Sequence, residues 1–208
     1  MYKSLLRFGF RLLYNELAFS YDAVSWLVSR GEWHAWQRTA LRHLNTPPGS
    51  AVLELAHGTA NLQRDLQLAG YNAVGMDLSR AMGRIARRKL RHAGIMPHLA
   101  QADVRQLPFA SGQFSVIVST FPSDYIVDPA VNAEIYRVLA PGGRLVVVLS
   151  GVITGKQPAE AARTQTTIDL PWPEETTKLF ISRGVTLTSY AEPCTISFTQ
   201  LMVASKGN

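Results

Sequence analysis

The sequence holds a single cysteine, Cys194, among 208 residues. A lone thiol closes no internal disulfide, so nothing points to an oxidising compartment. No Cys/His cluster has zinc-binding spacing. No window approaches the ~18 uninterrupted apolar residues of a membrane span. The run from Leu5 to Phe19 is broken by Arg7, Arg11, Asn15 and Glu16 and lacks a small-residue cleavage site, so it does not read as a signal peptide. Internal repeats and low-complexity tracts are missing too. Acid is absent where base is densest: Arg80, Arg84, Arg87, Arg88, Lys89 and Arg91 occupy one helical stretch without an Asp or Glu. These absences leave a soluble, cytoplasmic globular protein as the expectation.

Apolar residues make up 47% and charged residues 17%, a balance that supports a packed core and excludes a disordered chain. The net charge of +6 permits contact with nucleic acid or anionic membrane without establishing either. The length suits one domain, 1–208, divided into an N-terminal helical cap (1–48) and an α/β core (49–208).

Helical spacing marks the cap. Leu5, Leu6, Phe8, Leu12 and Leu13 recur with Lys3, Arg7 and Arg11 between them. A second stretch carries Tyr21, Val24, Trp26, Leu27 and Val28, breaks at Gly31 and resumes through Trp33, Trp36 and Leu41. Pro47-Pro48-Gly49 ends it. Strands then alternate with helices: strands at Ala51–Leu55, Ala73–Asp77, His98–Ala102, Gln113–Thr120 and Arg144–Leu149, and helices near Ala60–Ala69, from Ser79 to about Gly94, and from Asp128 to Leu139. Pro141-Gly142-Gly143 reads as the turn before the fifth strand. Thr154–Leu170 reads as a polar loop with a little helix, Glu174–Ser182 as a helix, and Val185–Tyr190 with Thr195–Ser205 as a terminal antiparallel pair. The alternation implies a doubly wound, mainly parallel Rossmann-like sheet.

Ala51-Val-Leu-Glu-Leu-Ala-His-Gly-Thr-Ala60 is an apolar strand running into a small-residue turn, and Gly75-Met-Asp-Leu-Ser79 closes the next strand on Asp77. A strand, such a turn, a helix and a strand ending in a carboxylate form half of a nucleoside-binding sheet. A dinucleotide site normally carries G-x-G-x-x-G. Here Glu54 is followed by small residues at every second position, Ala56, Gly58 and Ala60.

That spacing favours E-x-G-x-G-x-G, the first motif of S-adenosylmethionine-dependent methyltransferases. With Asp77, Ala102-Asp103-Val104, Leu107-Pro108-Phe109, Phe114-Ser-Val-Ile-Val118 and Leu139-Ala-Pro-Gly-Gly-Arg-Leu145, residues 50–150 resemble the class I methyltransferases. Tyr21-Asp22, Ser29-Arg-Gly31 and Trp36 resemble the N-terminal signature of the ubiquinone/menaquinone-biosynthesis C-methyltransferase group. The resemblance implies a seven-stranded sheet of order 3-2-1-4-5-7-6 and S-adenosylmethionine as cofactor. The cofactor residues it implies are Tyr21, Glu54, Ala56, His57, Gly58, Ala60, Asp77, Leu78, Met82, Asp103, Val104, Thr120 and Phe121. Asp77 would accept from both ribose hydroxyls, because a carboxylate offers two oxygens to two donors. Leu78 and Met82 would flank the adenine and Asp103 would accept from its amino group. Ala56 and Ala60 stand where the family has glycine, which serves positive φ or close approach.

The candidates for catalysis are His57 in the turn and Asp124 and Tyr125 beyond the fourth strand, at the carboxyl edge where such sheets bind ligands. The acceptor site is expected between the cap, the Phe121–Tyr125 loop and the segment after Gly151. The expected reaction is methyl transfer to a small molecule, aromatic or quinol-like. Two alternatives are an RNA methyltransferase using the Arg80–Arg91 face and a non-catalytic protein of the same fold. The basic, apolar N-terminal helix would suit peripheral membrane contact. The basic face more simply reads as solvated, and no stacking aromatics interleave it.

Overall fold

Apolar residues at consecutive positions, and not merely at alternate ones, mark the central strands, as expected of strands covered on both faces. The computed structural model describes residues 18–154, 164–165, 186–194 and 197–207. The helix read at Leu5–Leu13, the one at Glu174–Ser182 and most of the Thr154–Leu170 loop lie outside the described residues. The strands are β1 (Ala51–Leu55), β2 (Asn72–Asp77), β3 (Leu99–Gln101), β4 (Phe114–Thr120), β5 (Leu139–Ile153), β6 (Thr164–Gln165), β7 (Thr186–Pro193) and β8 (Ser197–Ser205). The helices are α1 (Tyr21–Val28), α2 (Trp33–Arg38), α3 (Asn61–Leu68), α4 (Arg80–His92) and α5 (Pro129–Val138).

The strands form one sheet in the order β3-β2-β1-β4-β5-β8-β7-β6. Apart from the two-residue edge strand β6, this is the expected 3-2-1-4-5-7-6, with β7 and β8 as its sixth and seventh strands. β6 falls where the sequence suggested only loop. β1 through β5 pair in parallel, with Leu53 opposite Val74 and Ile117. β8 runs antiparallel between β5 and β7.

Side chains alternate between two cores. Leu53, Ile117, Leu145 and Val147 point toward α5, where Val131, Ile135 and Val138 meet them. Val52, Val116, Val118, Val146 and Val148 point the other way, toward Leu62 and Leu66 of α3 and Ala40 and Leu44 of the cap. Each such side chain contributes about 1.5–3 kcal/mol on full burial.

β5 starts earlier than the sequence suggested. Leu139 already pairs with Phe114, and the next paired residue is Arg144, opposite Val116. Pro141-Gly142-Gly143 is therefore a bulge within the strand and not a turn before it. A Cβ on Gly143 would lie 2.8 Å from the Ala140 carbonyl oxygen, which is why the bulge needs glycine there.

The described part of the cap is α1, a turn at Arg30 and Gly31 with positive φ, α2 and a 3-10 segment, Thr39–His43. The Ser29 hydroxyl accepts from Trp33 N–H at 3.0 Å, opening α2. Trp36, buried on the sheet, lies directly over Gly151, so closely that a methyl there would overlap the indole. Its Nε1 donates to Ser197 Oγ at 2.7 Å, and that hydroxyl donates to Glu32 at 2.6 Å. Arg42 and His43 each donate to the buried Glu192 carboxylate at 2.7 Å. Cap and β7–β8 are thus tied by satisfied polar groups rather than by apolar contact alone.

Candidate active site

β1, β2 and β4 all end on the same edge of the sheet, and the cap crosses that edge. Between them lies a cavity of about 640 Å³. Its wall contains Tyr21, Ala56, Gly58, Asp77, Leu78, Asp103, Val104, Thr120, Phe121, Asp124 and Tyr125. Glu54, His57, Ala60 and Met82 are not part of that wall.

The β1–α3 turn is held in the left-handed region, with φ of +54° at Ala56, +54° at Gly58 and +66° at Ala60. An L-residue there carries a cost of roughly 1–2 kcal/mol. The turn persists because it is anchored: His57 N–H donates to the Met76 carbonyl at 3.1 Å, and Gly58 N–H donates to Asp77 Oδ2 at 2.9 Å. Asp77 Oδ1 accepts from Ser79 N–H at 2.8 Å, and Ser79 in turn caps α4 through its hydroxyl. Asp77 therefore spans the starts of two turns and lines the cavity, and each of its oxygens has capacity for a second hydrogen bond.

Glu54 lies beneath the turn, 1% exposed, and its Oε2 has no hydrogen-bond partner. Burial, with the neighbouring Asp77 and Asp65 charges, pushes its carboxyl well above the usual range. His57 is packed behind the turn against Gly75, with Nδ1 donating to the Gly58 carbonyl at 2.9 Å. Burial holds its pKa below the ordinary histidine value despite the pull of Asp77. Met82 belongs to the core-facing row Met82, Ala86, Leu90 of α4 and is fully buried, so it packs in the core and not in the cavity wall. Ala60 is likewise buried, at the N-cap of α3. Leu78 is 67% exposed at the rim.

Asp103 accepts from Arg105 N–H at 2.9 Å, and the Arg105 side chain reaches Asp128 at 3.0 Å, which holds the β3 loop against α5. On the opposite wall Phe121 sits at φ +50°, just past β4, with its ring centroid 4.2 Å from that of Trp33. Tyr21 meets Trp33 edge-on at 6.3 Å. Thr120 accepts from Gln37 at 3.2 Å, and Tyr125 shares a 2.7 Å hydrogen bond with Ser119. Among the described residues nothing after Gly151 reaches the cavity.

Sequence reasoning missed Arg105 and Ser79 in the wall, while Pro122 and Ser123 belong to the Phe121–Tyr125 loop expected there. It also missed the role of Asp22, which faces the turn, not the cavity. Asp22 accepts from Thr59 at 2.6 Å and from Lys89 at 2.6 Å. Only Arg105 had a usable signal, its place two residues after Asp103.

The family described as "Methyltransferase domain" matches residues 52–143, the segment that builds the turn, Asp77 and Asp103. The chain is 36% identical over 139 residues to a demethylmenaquinone methyltransferase of Thermus thermophilus, an alignment covering 65% of this chain and 63% of that protein. It is 31% identical over 142 residues to a ubiquinone/menaquinone biosynthesis C-methyltransferase of Vibrio vulnificus, covering 65% of this chain and 55% of that one. The chain thus spans roughly 55–63% of the length of these relatives. The fold is also that of a geranyl diphosphate methyltransferase solved in complex with S-adenosylmethionine, with a TM-score of 0.64, 18% identity and 91% of each chain covered. A second match, from Methanococcus maripaludis, has a TM-score of 0.63, 18% identity and 92% of each chain covered. Residues 18–48, the described part of the cap, lie outside the stretch that the family matches.

Proposed function

We propose that this protein transfers a methyl group from S-adenosylmethionine to a small-molecule acceptor of aromatic or quinol-like character. One observation carries the reading: a single cavity joins a nucleoside-type wall, Ala56, Gly58, Asp77, Leu78, Asp103 and Val104, to an aromatic wall, Tyr21, Phe121 and Tyr125. The residues fit the cofactor. Asp77 has lone pairs for two ribose hydroxyls. Leu78 offers an apolar surface to a base, and Asp103 an acceptor to an amino group. The orphaned Glu54 Oε2 lies under the turn, where an ammonium group would supply its missing donor. Bound there, the cofactor supplies an electrophilic methyl on a sulfonium.

The chain's own part is positioning and exclusion of water. Phe121 and Tyr21, backed by Trp33, would hold a planar acceptor against the methyl donor. Tyr125, oriented by Ser119, and Asp124 are placed to hold or accept an acceptor proton. His57, walled off behind the turn, has no such path. The names of the relatives, which specify demethylmenaquinone or ubiquinone/menaquinone biosynthesis, favour a quinol-like acceptor.

Isothermal titration with S-adenosylmethionine and S-adenosylhomocysteine tests the first half. Micromolar binding is expected. A folded protein that binds neither would overturn it in favour of a non-catalytic relative. Radiolabelled methyl transfer to quinol and phenolic acceptors tests the second half.

A further inference from the structure

The arginines of α4 and the outer face of α1 have no part in the cavity chemistry. Phe19 is 77% exposed, Trp26 64%, Leu27 71% and Val28 72%, a run of large apolar side chains on the outside of the cap. Scattered exposed apolar residues are ordinary, but a contiguous set this large marks a contact surface. Phe19, in the 3-10 turn Ala18–Ser20 just before α1, and Asp22 and Trp26 of α1 follow one another at spacings of three and four. Asp22 on that row is paired with Lys89 of α4 at 2.6 Å, so the apolar row runs directly alongside the basic helix.

On α4 the core-facing row is Met82, Ala86 and Leu90, which turns Arg84, Arg88 and Arg91 outward. These three line a shallow cleft of about 280 Å³ with Arg87 and His92, and no carboxylate among the described residues pairs with them. Tyr21 on α1 and Leu78 just before α4 both belong to the cavity wall, so the cavity opens beside this surface.

We infer that α1 and α4 together form a peripheral docking surface for an anionic lipid bilayer, with Phe19, Trp26, Leu27 and Val28 inserted at the interface and Arg84, Arg88 and Arg91 on lipid phosphates. An apolar face flanked by arginine is the pattern of interfacial helices, and the arginine stems reach headgroups while staying near apolar surface. No described helix is long and apolar enough to cross a membrane, so the contact is peripheral. Lipid is favoured over nucleic acid because α4 carries no aromatic side chain among its arginines on which bases could stack, and Leu27 and Val28 add exposed aliphatic surface on α1. Residues 1–17, which lead into Phe19, repeat the chemistry in sequence, with Lys3, Arg7 and Arg11 between Leu5, Leu6, Phe8, Leu12 and Leu13. The surface stands independently of the proposed methyl transfer and would bring its cavity to the source of a lipophilic acceptor.

Co-sedimentation of the full chain with phosphatidylcholine vesicles, with and without phosphatidylglycerol, tests it. Binding is expected only with phosphatidylglycerol and should weaken with salt. The Phe19→Ser/Leu27→Ser pair should reduce partitioning roughly tenfold or more. The Arg84→Gln/Arg88→Gln/Arg91→Gln triple should reduce it on the order of a hundredfold. Both variants should keep the wild-type thermal midpoint and S-adenosylhomocysteine affinity. Failure of the wild type to bind either vesicle overturns the inference. If the serine pair then also lowers the midpoint, the face is covered by the chain's own first seventeen residues. Vesicle binding that the arginine triple abolishes and the serine pair leaves intact overturns the apolar insertion. Binding of single-stranded RNA, lost in the arginine triple and not matched by vesicle binding, makes the partner a nucleic acid.

Discussion

Asp22 of the cap accepts a 2.6 Å hydrogen bond from the Thr59 hydroxyl in the β1–α3 turn. The same carboxylate takes Lys89 Nζ at 2.6 Å and Asn61 Nδ2 at 3.3 Å, so one side chain joins α1, α3 and α4. Burial would raise its pKa, but the Lys89, Thr59 and Asn61 contacts outweigh that and hold it below the ordinary value. Its folded pKa is therefore lower than its unfolded one. The stabilisation is present above the unfolded pKa of about 4 and is lost as the pH falls through the folded value. Because Asp22 is 42% exposed, Asp22→Ala should cost about 1–2 kcal/mol by urea denaturation at pH 7 and much less at pH 3.

Glu54 titrates in the opposite sense. Desolvation first, then Asp77 and Asp65, raises its folded pKa. Its favourable contribution is complete below the unfolded pKa and fades as the pH climbs through the raised folded value. Glu54→Gln should thus raise the thermal midpoint at pH 8 and leave it nearly unchanged at pH 4. An equal shift at both pH values would show that Glu54 is not buried as a neutral acid.

Ala56 and Ala60 hold left-handed conformations that glycine adopts freely. Replacing either by glycine removes roughly 1–2 kcal/mol of strain and adds about 0.5–1 kcal/mol of unfolded-state freedom. Each substitution should therefore stabilise the fold by up to about 1 kcal/mol. Ala56→Gly, in the cavity wall, should also leave S-adenosylhomocysteine affinity equal or tighter by calorimetry. Weaker binding would mean that the alanine methyl is a favourable contact.

Asp77→Ala strips the acceptor from both Gly58 N–H and Ser79 N–H. Calorimetry should show S-adenosylhomocysteine affinity down by roughly 100-fold, in line with about 3 kcal/mol for two charge-assisted hydrogen bonds. Undiminished affinity would place the ribose elsewhere.

Gly151→Ala should destabilise the protein by about 1–3 kcal/mol, since the new methyl has no room beneath Trp36. The denaturation midpoint checks this directly.

The alternation of strands and helices was legible because strand periodicity, proline and glycine punctuation and the Asp77 strand end are local signals, whereas the strand order followed from the family resemblance. The β5 start was not, because Pro141-Gly142-Gly143 looks the same in sequence whether it precedes a strand or bulges within one. Ala56, Gly58, Asp77, Leu78, Asp103, Val104, Thr120 and Phe121 could be placed at the cavity from motif position alone. Met82 and His57 could not be assigned to the cavity or the core, since a rotation of one residue about a helix or turn decides which way a side chain faces. Asp22 stood out in sequence only as part of the Tyr21-Asp22 signature, and its pairing with Thr59 and Lys89 joins residues 37 and 67 positions away, a distance no local pattern encodes.

β8 lies between β5 and β7, although it follows both in the chain. During synthesis the gap between those strands stays open until β8 emerges, and with it Ser197, the hydroxyl that receives the Trp36 indole and reaches Glu32. Until then the cap lacks its polar anchor on β8 and is held by its contacts with β4 and the helices, such as Gln37 with Thr120 and Asp22 with Thr59 and Lys89. A chain stalled before Ser197 would carry the whole nucleoside-type wall while leaving Trp36 and Glu32 of the cap without the hydroxyl that joins them.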